Sequence, residues 1–204
     1  MSLYFNLRNT YGLNNPFLLS DITNKSDYDS VKMTLSNLVK KNLVRRFSNG
    51  VYYLPKNNEL LGELHPSIDD VIKIKYINNM DKTYGYYTGY VLLNEVGLTT
   101  QVPNTIEVCT NKETNIKRDI TLNGMNIILR KPICEINNEN VRYLQFIDIF
   151  RYCDLFALLE NNEGVKEFIR VYDLKKEELK PLLKYAPHRA VDYMFGSGMF
   201  NELK

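Results

Sequence analysis

Arg45 and Arg46 stand side by side just before a tight-turn signal, Asn49-Gly50, and Tyr52 and Tyr53 follow it. A guanidinium carries a permanent charge and a planar fork of donors that fits carboxylate or phosphate oxygens. Upstream, Asp29, Ser30, Met33 and Asn37 share one helix face that runs into Lys40 and Lys41, with Lys25 and Lys32 close by. Hydroxyls and amides hydrogen-bond base edges, a methionine meets a thymine methyl, and lysines meet phosphates. Lys25, Ser30, Lys32, Met33, Asn37, Lys40, Lys41, Arg45 and Arg46 are therefore the candidate contacts to double-stranded DNA. The competing reading is a solvated helix face beside an ordinary polar hairpin edge.

Residues suited to catalysis or metal binding are sparse. His65 and His188 are the two histidines, and neither has a cysteine or carboxylate at metal-ligand spacing. His65 precedes Pro66 at a turn, and His188 opens a helix. Asp69 and Asp70 are adjacent, so a helix points them about 100° apart and they make no carboxylate pair. No phosphate-binding GxxxxGKS loop occurs. Gly196-Ser197-Gly198 is similar to the Gly-Ser turn of nucleotidyltransferases, but only Glu202 follows where two aspartates are needed, so it reads as a helix C-cap. The expectation is a non-enzyme with no cofactor and no metal.

Composition bounds the class. With 44% hydrophobic and 12% aromatic residues the 204-residue chain can bury a core. No stretch reaches the apolar length of a membrane span, and the start lacks the pattern of a signal peptide. Cys109, Cys134 and Cys153 are odd in number and far apart, which suits reduced thiols in a cytoplasm. Residues 1–60 carry eight basic and four acidic side chains, +4, whereas the other 144 carry 18 and 20, −2. A basic head on a near-neutral body suits an anionic partner.

The elements that must position those residues can be read from periodicity. "LYFNLRNTYG" predicts a short helix ending at Gly12, and "FLLSDI" (17–22) a second. A third runs from about Asp27 to Lys41, with Ser26 as N-cap and Asp29 completing a capping box. Its apolar stripe is Tyr28, Val31, Leu35, Leu38 and Val39. The hairpin follows. A two-residue turn pairs Phe47 with Tyr52, putting Leu43, Phe47, Tyr52 and Leu54 inward and Arg46 with Tyr53 outward; a bulge at Gly50 shifts that register by one. Helix, helix-turn-helix and hairpin make a winged helix-turn-helix, whose longer helix enters the major groove while the wing lies along the backbone. It spans residues 1–56.

Residues 57–204 read as a second, mixed α/β domain, for an α+β fold overall. Ser67–Asn79 predicts a helix capped by Ser67 and Asp70, and Tyr86–Val96 a buried helix. Strands fall at 105–110, 116–122 and 125–130, turning at Asn123-Gly124, in a small antiparallel sheet over about 104–131. Helices fill about 142–196: one long helix from Arg142 to Glu160 and three shorter ones, the second capped by Asp173 and the third opened by Pro187. Lys175, Lys176, Lys180 and Lys184 form a strip interrupted by Glu177 and Glu178, which reads as a solvated face.

"TGYVLLNEVGLTTQVPNTIEVCTN" (88–111), with the "LVRRFSNGVYYLP" hairpin, resembles the AbiEi-type antitoxin family of type IV toxin–antitoxin systems. The resemblance covers about residues 3–150 and is most specific over 84–112. It implies a winged-helix transcriptional regulator that binds operator repeats upstream of its own operon. It also implies antagonism of a nucleotidyltransferase toxin without a stable complex, in abortive infection or maintenance of mobile elements. The alternative is a protein-interaction module whose winged helix is structural and binds no DNA.

Overall fold

A computed structural model describes residues 2–204; the chain divides between Lys75 and Tyr76 into two units, the second being Tyr76–Lys204. The first unit is longer than the 1–56 read from the sequence. The strands at Lys56–Asn58 and Gly62–Leu64 and the helix at Ile68–Ile72 belong to it. An Arg45–Glu63 ion pair and a Tyr53–His65 hydrogen bond tie this segment to the hairpin.

In the first unit, helix α1 (Leu3–Tyr11) ends at Gly12, whose positive φ of 73° lets its N–H reach Arg8 O. Strand β1 (Pro16–Leu18) follows, then a 3₁₀ turn at Leu19–Asp21. The helix expected over 17–22 does not form. Phe17 and Leu18 pair instead with Tyr52 and Val51, so a sheet partner distant in sequence overrides the local apolar run. Helix α2 (Tyr28–Lys40) starts after Asp27 and has no side-chain cap: Asp27 Oδ1 accepts from Asn24 N and closes the preceding turn, so the Ser26–Asp29 box is not made.

Strands β2 (Arg45–Ser48) and β3 (Val51–Tyr53) flank Asn49-Gly50, and the sheet order is β1-β3-β2. The two-residue turn is present, with Gly50 at φ 75°. The irregularity falls at Phe47, so Arg46 pairs with Tyr52 and Arg45 with Tyr53. This bulge rotates the strand. Leu54 is buried as expected, but Val44, Val51 and Tyr53 are buried too and Leu43 is exposed, which corrects the rest of the inward set read from simple alternation. Tyr53 was expected to face outward; it is buried. The core of the unit is Leu7, Phe17, Leu19, Leu35, Val44 and Leu54. Strands β4 (Lys56–Asn58) and β5 (Gly62–Leu64) form a second hairpin. Helix α3 (Ile68–Ile72) opens on the expected capping box, with Ser67 Oγ accepting from Asp70 N and Asp70 Oδ2 from Ser67 N. It passes into a π-turn at Lys73–Ile77.

The second unit begins with the short pair β6 (Asn78–Asn79) and β7 (Lys82–Thr83). Then come β8 (Gly85–Thr88) and helix α4 (Tyr90–Glu95). The single helix expected over 86–96 thus opens as strand, its first three residues belonging to β8. The aromatic run pairs with β9 (Thr105–Thr110), and Gly89, at φ 63°, makes the break. β10 (Lys117–Leu122) and β11 (Met125–Arg130) turn at Asn123-Gly124 as expected. The order is β10-β11-β9-β8, with two antiparallel pairings and one, β9–β11, parallel.

Helix α5 (Val141–Tyr152) is the centre of this unit: Val141 and every residue from Tyr143 to Phe150 are buried. A helix buried all round must be apolar nearly all round. Phe146, Ile147, Ile149 and Phe150 are, whereas Gln145 and Asp148 are polar yet buried. The helix stops at Cys153, and Asp154 caps α6 (Leu155–Glu160) by accepting from Phe156 N and Ala157 N, which divides the expected Arg142–Glu160 helix in two. α7 (Glu163–Val171), α8 (Lys176–Leu183) and α9 (His188–Gly196) complete the helical end. Asp173 caps none of them: its φ is 49°, its carboxylate pairs with Lys204, and Lys175 is the N-cap of α8.

Candidate nucleic-acid interface

Helix α2 is held by one stripe. Leu35 is buried, and Val31, Leu38 and Val39 are half-buried beside it. At 100° per residue, Ser30, Met33, Asn37 and Lys40 fall within about 80° of one another on the other side. All four are exposed, Met33 by 66%. Thr34 does not join them as a free hydroxyl, since it donates to Ser30 O at 2.9 Å. Lys25 precedes the helix and Lys41 ends it, and both are exposed. Thirteen residues span roughly 20 Å, so the two lysines flank the stripe at its ends. Lys32 is exposed but lies on the other flank, its ammonium 5.6 Å from the Tyr28 ring centre. The fold therefore gathers Ser30, Met33, Asn37 and Lys40, and sets Lys32 apart.

The two arginines differ sharply. Arg46 is exposed and bonds only within its own turn, to Asn49 Oδ1 at 2.8 Å and Ser48 O at 3.4 Å. Arg45 is half-buried, and its Nε and Nη2 donate to the two carboxylate oxygens of Glu63, each at 2.8 Å, while Nη1 donates to Asn42. Its fork is filled. The bond to Glu63 raises the Arg45 pKa, and the guanidinium holds the Glu63 carboxyl below its ordinary range. Glu63 was missed in the sequence because its partner lies eighteen residues away, across a turn that periodicity does not predict. His65 Nδ1 meets Tyr53 Oη at 2.6 Å and so joins the same packing. Across Met1–Lys75 there are ten basic and seven acidic residues, a net +3.

The second unit has a buried polar centre of its own. Asp148 on α5 accepts from Thr88 Oγ1 at 2.7 Å and from Tyr86 Oη at 3.1 Å, with Arg151 3.7 Å away. Burial pushes the Asp148 carboxyl up and the Tyr86 phenol well up. Beside it Arg130 pairs with Glu107 at 2.6 Å, and a Cβ on Gly89 would come within 2.8 Å of that carboxylate. The conspicuous Thr88-Gly89 step is thus explained by packing around two carboxylates. Cys109 is buried here and burial takes its thiol up to about 12; Cys153 is taken to about 11. Neither is a nucleophile at neutral pH.

An open cleft of about 450 Å³ is lined by Lys82, Thr83, Tyr84, Asn111, Glu135 and Asn138, among others. Its amides are already engaged, Asn111 with both backbone groups of Ile136 and Asn138 with Thr83 N and Asp81 O. His188 opens α9 after Pro187, and Gly198 lies just beyond that helix at φ 78°. Among the described residues, no group of three His, Cys, Asp or Glu is placed to hold a metal ion, and no helix is long and apolar enough to cross a membrane.

No curated protein and no solved structure matches the chain. One family model does, over residues 14–135, which is more than half of the chain and takes in both the α2–β3 segment and the four-stranded sheet. The chain belongs to that family, described as a family of unknown function, DUF6088.

Proposed function

We propose that the chain is a DNA-binding transcriptional regulator of the type IV antitoxin kind. Its first unit acts as a winged helix-turn-helix, with α2 in the major groove and the β2–β3 hairpin as the wing. The observation that carries the reading is the exposed Ser30–Met33–Asn37–Lys40 stripe on α2, flanked by Lys25 and Lys41 and followed at once by Arg46 at a hairpin tip. Short hydroxyl and amide side chains in the middle with cations at the ends suit base edges between two phosphate strands. The operator is a repeat upstream of its own operon, and the chain works in the cytoplasm. The second unit antagonises a nucleotidyltransferase toxin without forming a stable complex; the resemblance over 84–112 supports that part. The test is binding of the full chain to a labelled duplex of its own upstream region against a scrambled duplex, with a reporter fused to that region. Equal affinity for the two duplexes, or no repression, sinks the regulator reading.

A second reading, a protein-interaction module without DNA binding, is favoured by Leu60 and Leu61. They are 94% and 76% exposed at the β4–β5 tip, where Asn58 Oδ1 holds both of their N–H groups. No duplex binding at low salt, with a stable protein complex instead, selects it.

A further inference from the structure

We infer that Glu63 is a built-in competitor for phosphate at Arg45, so that the β4–β5 hairpin governs how many cations the wing offers to DNA. The inference rests on the DNA-binding reading above and assigns a role to a hairpin which that reading leaves idle.

Arg45 and Arg46 are neighbours in sequence, yet only Arg45 is held by a carboxylate; Arg46 bonds neutral oxygens of its own turn. Arg45 presents Nε and Nη2 as a parallel pair to the two oxygens of Glu63, at 2.8 Å each. That is the geometry in which a guanidinium grips a phosphate, so the carboxylate fills the position a DNA backbone oxygen pair would take. The remaining nitrogen, Nη1, is given to Asn42. The pair is not sealed inside: the Arg45 and Glu63 side chains are 31% and 26% exposed, so an incoming phosphate can reach it. At such exposure solvent and salt screen the pair, so a phosphate can compete with the carboxylate for the fork.

The hairpin is fixed at that height by independent contacts. Tyr53, the strand partner of Arg45, bonds His65 at 2.6 Å, and Asn57 pairs with Glu63 across β4–β5. Glu63 is therefore placed by the fold as well as by its attraction to Arg45. In the free protein the wing offers Arg46 alone. When duplex DNA docks, phosphate and Glu63 compete for one fork, and the carboxylate lowers affinity for every sequence alike.

The experiment compares the full chain with Glu63→Gln, Arg45→Ala and the double variant, by fluorescence anisotropy on the upstream duplex from about 50 to about 300 mM salt. Releasing one phosphate-binding cation should steepen the log–log salt slope by about 0.9 and tighten binding about five- to tenfold near 0.1 M salt. The gain should vanish in the Arg45→Ala background, because it acts through that side chain. Glu63→Asp, too short to meet both nitrogens of the fork, should fall between wild type and Glu63→Gln, and carries the test if the Gln variant folds poorly. A gain that persists without Arg45 would mean that only bulk charge had changed, and overturns the inference. So does wild-type binding that Glu63→Gln fails to improve, which leaves the DNA-binding reading standing. If neither protein binds any duplex, the DNA-binding reading fails and the competitor role fails with it.

Discussion

Thr88 donates its hydroxyl to Asp148 Oδ2 at 2.7 Å, joining the end of β8 to the middle of α5 across sixty residues of chain. Both side chains are buried, and Tyr86 from the same strand shares the acceptor. A buried carboxylate that loses a donor keeps its desolvation cost. Thr88→Val retains the shape without the hydroxyl and should cost about 1–3 kcal/mol. That corresponds to a fall of roughly 3–10 °C in Tm for a chain of this size. Thr88→Ser should retain most of the stability. An unchanged calorimetric transition in Thr88→Val would show that the bond contributes nothing.

Two glycines make opposite predictions. A Cβ on Gly164, in the first turn of α7, would sit 1.9 Å from Val96 O, a backbone atom that cannot step aside. Gly164→Ala should destabilise by about 3 kcal/mol. Gly196, the last residue of α9, has nothing within 4 Å of that position. Gly196→Ala should be neutral or slightly stabilising, by up to about 1 kcal/mol, because alanine is the better helix former. Urea midpoints of the two variants check the contrast, and equal midpoints would contradict the close approach of α7 to Val96.

The buried thiols set an alkaline limit. Burial raises Cys109 to about 12 and Cys153 to about 11, from an ordinary 9.0. Above that ordinary value the unfolded chain releases the two protons while the folded chain retains them. Stability from the protonated thiols is thus complete below about 9 and is lost as pH rises through about 11 and then about 12. Near pH 10.5 each thiol should remove about 2 kcal/mol relative to pH 8. Cys153→Ala should flatten the fall in urea midpoint between those two pH values. In the native protein at pH 8 the half-buried Cys134 should be alkylated before the other two, which peptide mapping would reveal.

On the DNA-binding proposal, Arg46 and Arg45 of the β2–β3 hairpin should separate. Arg46→Ala should weaken binding to any duplex and lower the salt slope by about 0.9. Arg45→Ala alone should do less, since Glu63 already occupies that fork. Identical slopes for the two variants in one salt titration would contradict this asymmetry.

Asn37 should behave differently from either arginine. It lies mid-stripe on α2 and is exposed. Asn37→Ala should change which duplexes are preferred, by about 1–3 kcal/mol at one base position, and leave the salt slope as it was. Uniform weakening across a panel of single-base variants would remove Asn37 from base readout.

Several local signals read true, although the expected caps at Ser26 and Asp173 did not form. Asn123-Gly124 sits between two alternating runs and turns the β10–β11 hairpin, Ser67 and Asp70 cap α3, and Gly12 stops α1. The sequence misled at Phe17–Ile22 and at Tyr86–Val96, where a short apolar run has no period long enough to separate helix from buried strand. There the deciding partners, Tyr52 and Val51 for β1 and β9 for β8, lie more than fifteen residues away.

The candidate interface divides the same way. By itself the sequence determined that the first sixty residues are basic, and that one helix carries a small polar face ending in lysines ahead of an arginine-bearing hairpin; both are properties of neighbours in the chain. Only the tertiary structure decided which arginine is held by a carboxylate. A one-residue bulge at Phe47 sets the register that pairs Arg45 with Tyr53, and the folding of β4–β5 beside the β2–β3 hairpin brings Glu63 to its guanidinium. Register and hairpin docking are settled by burial of Val44, Val51, Tyr53 and Leu54 summed over the whole unit, and that sum is carried by no single stretch of residues.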